Sequence, residues 1–584
     1  MKFTNPLQGL SWRTIVKVWK PFWTSDQRNK NLLLLGAIIL LLITSVGVNW
    51  ASQKLTAELW TAIETKSSAD TNYWLLISVA VIAPFTLVQV YYGMLRTKLG
   101  LAWRDWLTAS LLTGYYNEKT QAASKINGNA EIDNPDSRIT GELDSFCNQS
   151  VWLPISFLEN LVTIITFGGT LIYLTWQLGV GAILCAFIMS VGVVWLGQRL
   201  VPLANQQNKT EGDLRYWQAS VREQTENVSF YRGEKVAFQV ARNRLSAVIA
   251  TLTDVMYVNR NISFFTTSFN MLVVLVPLYL VVGLYFDGAI KFGAISQATG
   301  AFAAVYGGLC WIANQFGGLS SYANVVKRLA AFMDAIEAAG VDTLPPEKRI
   351  QVTEADEIDL NKVTVMTPDL QKTLVVDLTV NVKPGANLLL TGPDGSGKTA
   401  ILRVIAGLWM AGSGSMKRPA MSEVMYLSQA PFLPQTSLRT VLTYPMAAPV
   451  TDDARLMEVL KLVGLTELLE RASGLDTEQN WRQMLSPSEQ QRLGLARIIL
   501  CKPKYVIVDD ATAALENETE QLLYTVLTTI GATVVTAGNG AALVKYHQQV
   551  LELKGDGTWS LQDAASYKPK KFFNLLAIFG KTPE

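Results

Sequence analysis

Apolar positions gather into long runs before about residue 330 and into short, strand-length runs beyond it. Six of the long runs stand out, at 32–50, 73–93, 150–175, 178–198, 263–286 and 292–316. Each is close to the ~20 residues that cross ~30 Å of hydrocarbon at ~1.5 Å per residue, so the pattern predicts six transmembrane helices. Between them, 94–149 and 199–262 are long and basic, with Arg96, Lys98, Arg104, Arg199, Arg215, Arg222, Arg232, Lys235, Arg242 and Arg244. The loops on the other side, 51–72, 176–177 and 287–291, carry few positive residues. The positive-inside rule then places both termini and the two long loops in the cytoplasm. Loops of that length are expected to be helical extensions reaching toward the second half of the chain. Ahead of the first span, Trp12, Trp19, Phe22 and Trp23 are mixed with Lys17, Lys20, Arg28 and Lys30, a composition suited to the headgroup region of a lipid bilayer. Residues 1–31 therefore predict an interfacial elbow helix.

Polar residues inside the predicted spans are the candidate substrate contacts, because a polar group in hydrocarbon turns toward the bundle interior or a water-filled path. Glu159, Asn160, Asn270, Gln297, Asn314 and Gln315 qualify. Taken singly, each reads as a tie between helices, with Glu159 near the cytoplasmic boundary; taken as a set, they read as the lining of a path for a hydrophilic or amphipathic cargo. Pro84 and Pro277 also fall inside spans, where each would kink a helix and free a carbonyl.

At 584 residues the chain is too long for a single core. The organisation expected is an elbow segment at 1–31, a membrane domain at 32–335, a linker at 336–352, a soluble domain at 353–565 and a basic-aromatic tail at 566–584. Proline and charge mark the junction at Val341-Asp342-Thr343-Leu344-Pro345-Pro346-Glu347-Lys348-Arg349. A formal charge of only +2 gives no general attraction to nucleic acid, so none is expected as a partner. Cys147, Cys185, Cys310 and Cys501 match neither a metal spacing nor a disulfide framework and read as reduced packing residues. The N-terminus lacks a short apolar core with a small-residue cleavage site, so no removable signal peptide is expected.

In the soluble half, Gly392-Pro393-Asp394-Gly395-Ser396-Gly397-Lys398-Thr399 follows the apolar run Leu388-Leu389-Leu390 and precedes a helical pattern from Ile401. This is a phosphate-binding loop between a buried strand and a helix. Its glycines let backbone N–H groups close around phosphate oxygens, Lys398 reaches the outer phosphates, and Thr399 can hold Mg²⁺, which makes ATP and Mg²⁺ the expected cofactors. Further on come a strand at Tyr426-Leu427-Ser428 that leads into a loop bearing Gln429, and a helix opening at Leu485-Ser486-Pro487-Ser488-Glu489. A second apolar strand, Tyr505-Val506-Ile507-Val508, ends in Asp509-Asp510. Carboxylates at that point serve a phosphate loop as a Mg²⁺ partner and as a water-orienting group.

In this order the motifs resemble the nucleotide-binding domain of an ATP-binding-cassette transporter. The resemblance makes 392–399 the Walker A loop, Gln429 the Q-loop residue that also meets Mg²⁺, and 485–489 the signature, with Ser486, Ser488 and Glu489 facing nucleotide. It makes Asp509 the Walker B aspartate, Asp510 the catalytic carboxylate, and Ala513-Ala514-Leu515-Glu516 the D-loop. The membrane half is similar to the SbmA/BacA-type bacterial transporters and the peroxisomal subfamily D half-transporters. That similarity is carried by Trp103-Arg104-Asp105-Trp106-Leu107, by Asn134-Pro135-Asp136-Ser137-Arg138-Ile139 with Asp144, and by Glu211-Gly212-Asp213-Leu214-Arg215-Tyr216 followed by Val221-Arg222-Glu223 and Phe230-Tyr231-Arg232-Gly233-Glu234. The fold implied is an exporter-type six-span helical domain followed by an α/β P-loop domain. Only the tail from Tyr567, with Lys568, Lys570, Lys571, Phe572 and Phe573, lies outside the resemblance; it reads as a solvated end, or as a membrane-surface or partner helix.

The chain departs from the family at three places. Asp510 replaces a glutamate and sits roughly 1–1.5 Å short, against a hydrogen-bond reach of about 2.6–3.2 Å to the attacking water. Asn539 stands at the switch-histidine position, where it can bond a phosphate oxygen but cannot take a proton. Pro487 and Ser488 replace signature glycines, and proline has no N–H. ATP binding is untouched by these changes, whereas slow hydrolysis is expected. With one membrane domain and one cassette, the chain is implied to be half of a homodimer or heterodimer. The function expected is ATP-driven transport of a peptide, cobalamin-like or acyl-CoA-like solute across a bacterial-type inner membrane or, alternatively, an organelle membrane. A competing reading is an ATP-gated, weakly hydrolysing regulatory subunit. A soluble P-loop enzyme with an anchor would need one span, not six.

Overall fold

The computed structural model describes residues 11–117, 126, 135–340, 344–428, 430–446, 452–509, 517–538 and 541–568. The chain forms two compact units, Met1–Asp342 and Thr343–Glu584. Asn134, the junction residues 341–343, Gln429, Asp510, the 513–516 segment, Asn539 and the tail beyond Lys568 lie outside the described residues.

The first unit is entirely helical among the described residues. Its elements are α1 (Trp12–Trp23), α2 (Arg28–Glu64), α3 (Ser68–Tyr115), α4 (Leu143–Leu174), α5 (Trp176–Gly197), α6 (Leu200–Glu223), α7 (Thr225–Phe230), α8 (Glu234–Phe286), α9 (Phe292–Asn314) and α10 (Phe316–Ala339). A π-helical turn, Arg138–Glu142, leads directly into α4. Among the described residues, five helical stretches are long and apolar enough to cross a membrane: α2, α3, the stretch ending with α4, α5 and α8. The sixth predicted span forms as α9 but does not reach that apolarity, and its packing explains why. A Cβ on Gly293 would lie 1.8 Å from Ala57 O, one on Gly300 2.8 Å from the Gln53 side chain, and one on Gly308 2.9 Å from Ile164. Helix α9 thus meets α2 and α4 through small residues, which permit close backbone approach at the expense of hydropathy. Of the long basic loops, residues up to Tyr115 continue α3, while α6, α7 and the first turns of α8 fill 199–262.

Helix α1 packs one side against the other helices of the unit. Trp12 is 75% exposed, but Phe22 is fully buried and stacks on Trp103 at 4.7 Å. Trp19 meets Trp103 edge-on at 5.4 Å, and its Nε1 donates to Tyr322 Oη on α10 at 2.8 Å. Lys17 pairs with Asp334 and with Glu337, the latter at 3.0 Å. The aromatic side of α1 therefore packs on protein.

The second unit is α/β. A six-stranded sheet has the order β10–β9–β4–β8–β7–β6, built from β4 (Leu388–Thr391), β6 (Val424–Ser428), β7 (Tyr505–Asp509), β8 (Thr533–Ala537), β9 (Gln549–Leu553) and β10 (Trp559–Asp563). Its strands run parallel except β10, which is antiparallel to β9. All four residues of β4 and all five of β8 are buried, the continuous apolar pattern of strands covered on both faces. A second sheet, β1–β5–β2–β3, joins Gln351–Glu354, Gly412–Arg418, Ile358–Met366 and Thr373–Val382. The longer helices are α11 (Lys398–Ile405), α12 (Leu438–Thr443), α13 (Asp453–Leu462), α14 (Pro487–Cys501) and α15 (Asn517–Thr529). Parallel strands end on one edge of the sheet, so the segments after β4, β6, β7 and β8 emerge together, where open α/β sheets take their ligands.

Candidate functional site

The loop between β4 and α11 needs glycine for steric reasons. Gly392, Gly395 and Gly397 have φ of +144°, +76° and +103°, and a Cβ on Gly392 would lie 2.3 Å from Leu553 O. The loop therefore brings bare backbone to the start of α11, where helix N–H groups are unsatisfied and favour an anion. Lys398 is 7% exposed, and its Nζ donates to Gly392 O at 2.7 Å and Pro393 O at 3.2 Å. Its ammonium is held over the loop's own carbonyls, which is where a phosphate would compete for it. Asp394, fully exposed, lies 3.8 Å from the same nitrogen. Ser396 Oγ is buried without a hydrogen-bond partner among the described residues, an orphaned hydroxyl on the loop.

Thr399 Oγ1 donates to Asp509 Oδ1 at 3.4 Å, and Tyr426 Oη donates to Asp509 Oδ2 at 2.6 Å. The predicted partners from α11 and from the end of β7 thus come together. Hydroxyl and carboxylate oxygens side by side suit a hard cation such as Mg²⁺.

Helix α14 opens with a complete capping box. Ser486 Oγ accepts from Glu489 N at 3.3 Å, and Glu489 Oε2 accepts from Ser486 N at 2.8 Å. Burial would raise the Glu489 pKa, but the Ser486 backbone bond and Arg471, whose guanidinium lies 2.5 Å from Oε1, outweigh it and hold the carboxyl below its usual range. Pro487 occupies the first helical position, where its missing N–H costs no intrahelical bond. Ser488 follows it in the first turn. The helix also bonds the backbone after β6 at two points: Gln491 Nε2 donates to Ser428 O at 2.9 Å, and Arg497 Nη1 donates to Phe432 O at 2.7 Å. Arg497 is 4% exposed, and burial pulls its pKa down to about 10. Neither residue was singled out by sequence reasoning; the available signal is a polar pair, four and ten positions after Pro487, in a helix whose residues Leu493, Leu495 and Ile498 are fully buried.

His547 is buried beneath β8. Its Nδ1 lies 2.7 Å from Leu543 O and its Nε2 2.8 Å from Thr536 Oγ1, which in turn lies 3.1 Å from Tyr524 Oη. It does not occupy a phosphate-facing position.

In the membrane unit several predicted polar contacts are internally satisfied. Tyr92 Oη donates to Glu159 Oε2 at 2.9 Å, Asn160 Nδ2 donates to Ser156 O at 2.7 Å, and Tyr306 Oη donates to Asn270 Oδ1 at 2.8 Å. Gln297 and Gln315 are half-buried, and Asn314 is exposed. Of the residues that carry the membrane-half resemblance, Trp103 is fully buried, Arg104 on α3 pairs with Asp144 on α4 at 2.9 Å, and Arg138 Nη1 donates to Arg328 O on α10 at 3.0 Å. The cysteines are free, and no cluster suited to a metal occurs among the described residues.

Comparison with known proteins matches residues 21–286 to the ABC transporter transmembrane region 2 and residues 375–513 to the ABC transporter domain. An uncharacterized ABC transporter ATP-binding protein of Synechocystis sp. is 34% identical over 549 residues, covering 92% of this chain and 82% of the relative. The chloroplastic ABC transporter D family member 2 of Arabidopsis thaliana is 28% identical, covering 94% of this chain and 88% of the relative. The lysosomal cobalamin transporter ABCD4 of Mus musculus is 29% identical, covering 94% and 95%.

Proposed function

The chain belongs to the ABC transporter family as an ATP-driven, multi-pass half-transporter of the subfamily D type, and from that premise we propose that it moves a hydrophilic or amphipathic solute of small to medium size, as a dimer with slow ATP turnover. The observation that carries the reading is the meeting of Lys398, Thr399 and Asp509 at one sheet edge, on a chain whose other unit is a bundle of long apolar helices. In this reading the backbone of 392–399 and Lys398 cradle the phosphates, while Thr399, Asp509 and Gln429 hold Mg²⁺. The cation, when bound, neutralises charge that builds on the phosphoryl oxygens. Asp510 orients the attacking water, Asn539 senses the phosphate, and Ser486, Ser488 and Glu489 approach the nucleotide of a second chain.

The solute classes that fit are cobalamin-like, peptide and acyl-CoA-like. Support comes from the set of polar residues within the predicted spans and from a relative named for cobalamin transport. Slow turnover is supported by Asp510, Asn539 and Pro487 together, and a sibling chain with a glutamate, a histidine and a glycine-rich signature would restore speed in a heterodimer. The same three residues favour a second reading, an ATP-gated subunit that closes on nucleotide and scarcely hydrolyses it. A bacterial-type inner membrane is the proposed location, supported by the basic loops and by a 26% identical Escherichia coli relative named as an inner membrane ABC transporter.

ATP consumption and uptake of cyanocobalamin, a cationic peptide and an acyl-CoA, measured side by side in proteoliposomes, test the proposal. Uptake that requires hydrolysis supports the transporter, uptake that persists on a non-hydrolysable nucleotide supports gating, and a purified chain that retains no Mg-ATP refutes both.

A further inference from the structure

Strands β6 and β7 pair in parallel, with Tyr426 opposite Ile507 and Ser428 opposite Asp509. The Tyr426 side chain therefore leaves its strand two residues before the level of Asp509. Its hydroxyl still reaches Asp509 Oδ2 at 2.6 Å, while Thr399 holds Oδ1 at 3.4 Å. Two different elements thus grip the two oxygens of one carboxylate. Packing does not account for the tyrosine, because it is 42% exposed while its neighbour Leu427 is 3% exposed and carries the core contact.

We propose that Tyr426 is a positioning residue for the cation-binding carboxylate. An aspartate whose oxygens are both free turns readily about its last torsion, which is broad and roughly two-fold. A donor on Oδ2 selects the orientation that turns Oδ1 to Thr399 and leaves the remaining lone pairs for the water ligands of the cation that accompanies ATP. The choice of donor matters. A lysine or arginine in this place would hold the carboxylate equally well but would repel a divalent cation, whereas a phenol donates without bringing charge. The inference rests on 392–399 and Asp509 being a Mg-ATP site, and it adds the residue that prepares the carboxylate before the cation arrives. A hydrogen bond to a charged group, discounted for the half-exposed ring, makes the effect on cation affinity about three- to tenfold.

The test compares the wild-type chain with Tyr426→Phe, both full length and in nanodiscs. Binding of a fluorescent ATP analogue is followed in EDTA and across Mg²⁺ titrations, and Mn²⁺ occupancy is read by electron paramagnetic resonance. The phenylalanine retains the ring, so thermal unfolding and metal-free nucleotide binding are expected to match wild type. The Mg²⁺ and Mn²⁺ midpoints are expected to rise about three- to tenfold. Unchanged cation midpoints would overturn the inference, and so would a loss of nucleotide binding of equal size with and without cation, because either result leaves Tyr426 no specific part in holding metal. A wild-type chain that bound no nucleotide would instead refute the Mg-ATP site itself.

Discussion

His547 gives the nucleotide-binding unit a measurable acid sensitivity. Its pKa falls from 6.5 to about 4, driven down by burial and only partly restored by the backbone bond to Leu543. The folded state therefore favours the neutral ring, and the unfolded state takes a proton first. Stability from this group is fully present above pH 6.5 and is lost as pH drops toward about 4. With 1.36 kcal/mol per unit, the whole loss is about 3 kcal/mol, and about 2 kcal/mol has gone by pH 5. For a unit of this size that corresponds to a fall of about 4–8 °C in Tm. The window is clean for two reasons. His547 is the one histidine in the chain. Among the described residues, the carboxyls whose pKa values are lowered, Asp369, Asp476, Glu489 and Asp556, begin from ordinary values of 3.8 or 4.5 and surrender their contributions below it. Thermal unfolding of the full-length chain would be followed from pH 7.5 to 5, taking the transition that Mg-ATP raises as that of the nucleotide-binding unit. His547→Gln is expected to start lower, having lost the Leu543 contact, and to be nearly flat across this range. An equal slope in wild type and variant would refute the assignment of the acid sensitivity to this ring.

Two further outcomes follow from the same unit. Restoring Asp510→Glu together with Asn539→His should raise the ATPase rate of the purified chain several-fold, and an unchanged rate in the double variant would place the limit elsewhere. Gly392→Ala forces a Cβ into Leu553 O at a φ of +144°, so the unit should lose about 2 kcal/mol or more and bind nucleotide poorly; wild-type melting and binding in that variant would contradict the close approach.

Features that depend on local order were legible in the chain. The spacing of three glycines, Lys398 and Thr399 after Leu388–Leu390 specified a strand, a loop and a helix, and the structure builds β4, the phosphate loop and α11 there. Long apolar runs likewise announced α2, α4, α5 and α8. What stayed hidden depends on partners distant in sequence. Helix α9 trades hydropathy for small residues, and only its neighbours Gln53, Ala57 and Ile164 explain the trade. Trp19 and Phe22 have the composition of an interfacial anchor, yet Trp103 and Tyr322 claim them. Nothing in Tyr426-Leu427-Ser428 marks the tyrosine as reaching Asp509, because the contact spans 83 residues and depends on the pairing of β6 with β7. The charge of Lys398 predicted a phosphate ligand; that its ammonium rests on Gly392 O and Pro393 O follows from the loop's curvature.

In a transporter that works as proposed, nucleotide held at 392–399 changes the state of the membrane helices. Hydrogen–deuterium exchange of the full-length chain in nanodiscs, with and without Mg-ATP, tests this without knowledge of the solute. In wild type, Mg-ATP should protect 388–405 and also alter exchange in peptides from α3 and α8, and Lys398→Ala should abolish both effects. Protection of 388–405 with the membrane helices unchanged would show a nucleotide that binds and drives nothing, and would rule out nucleotide-driven transport.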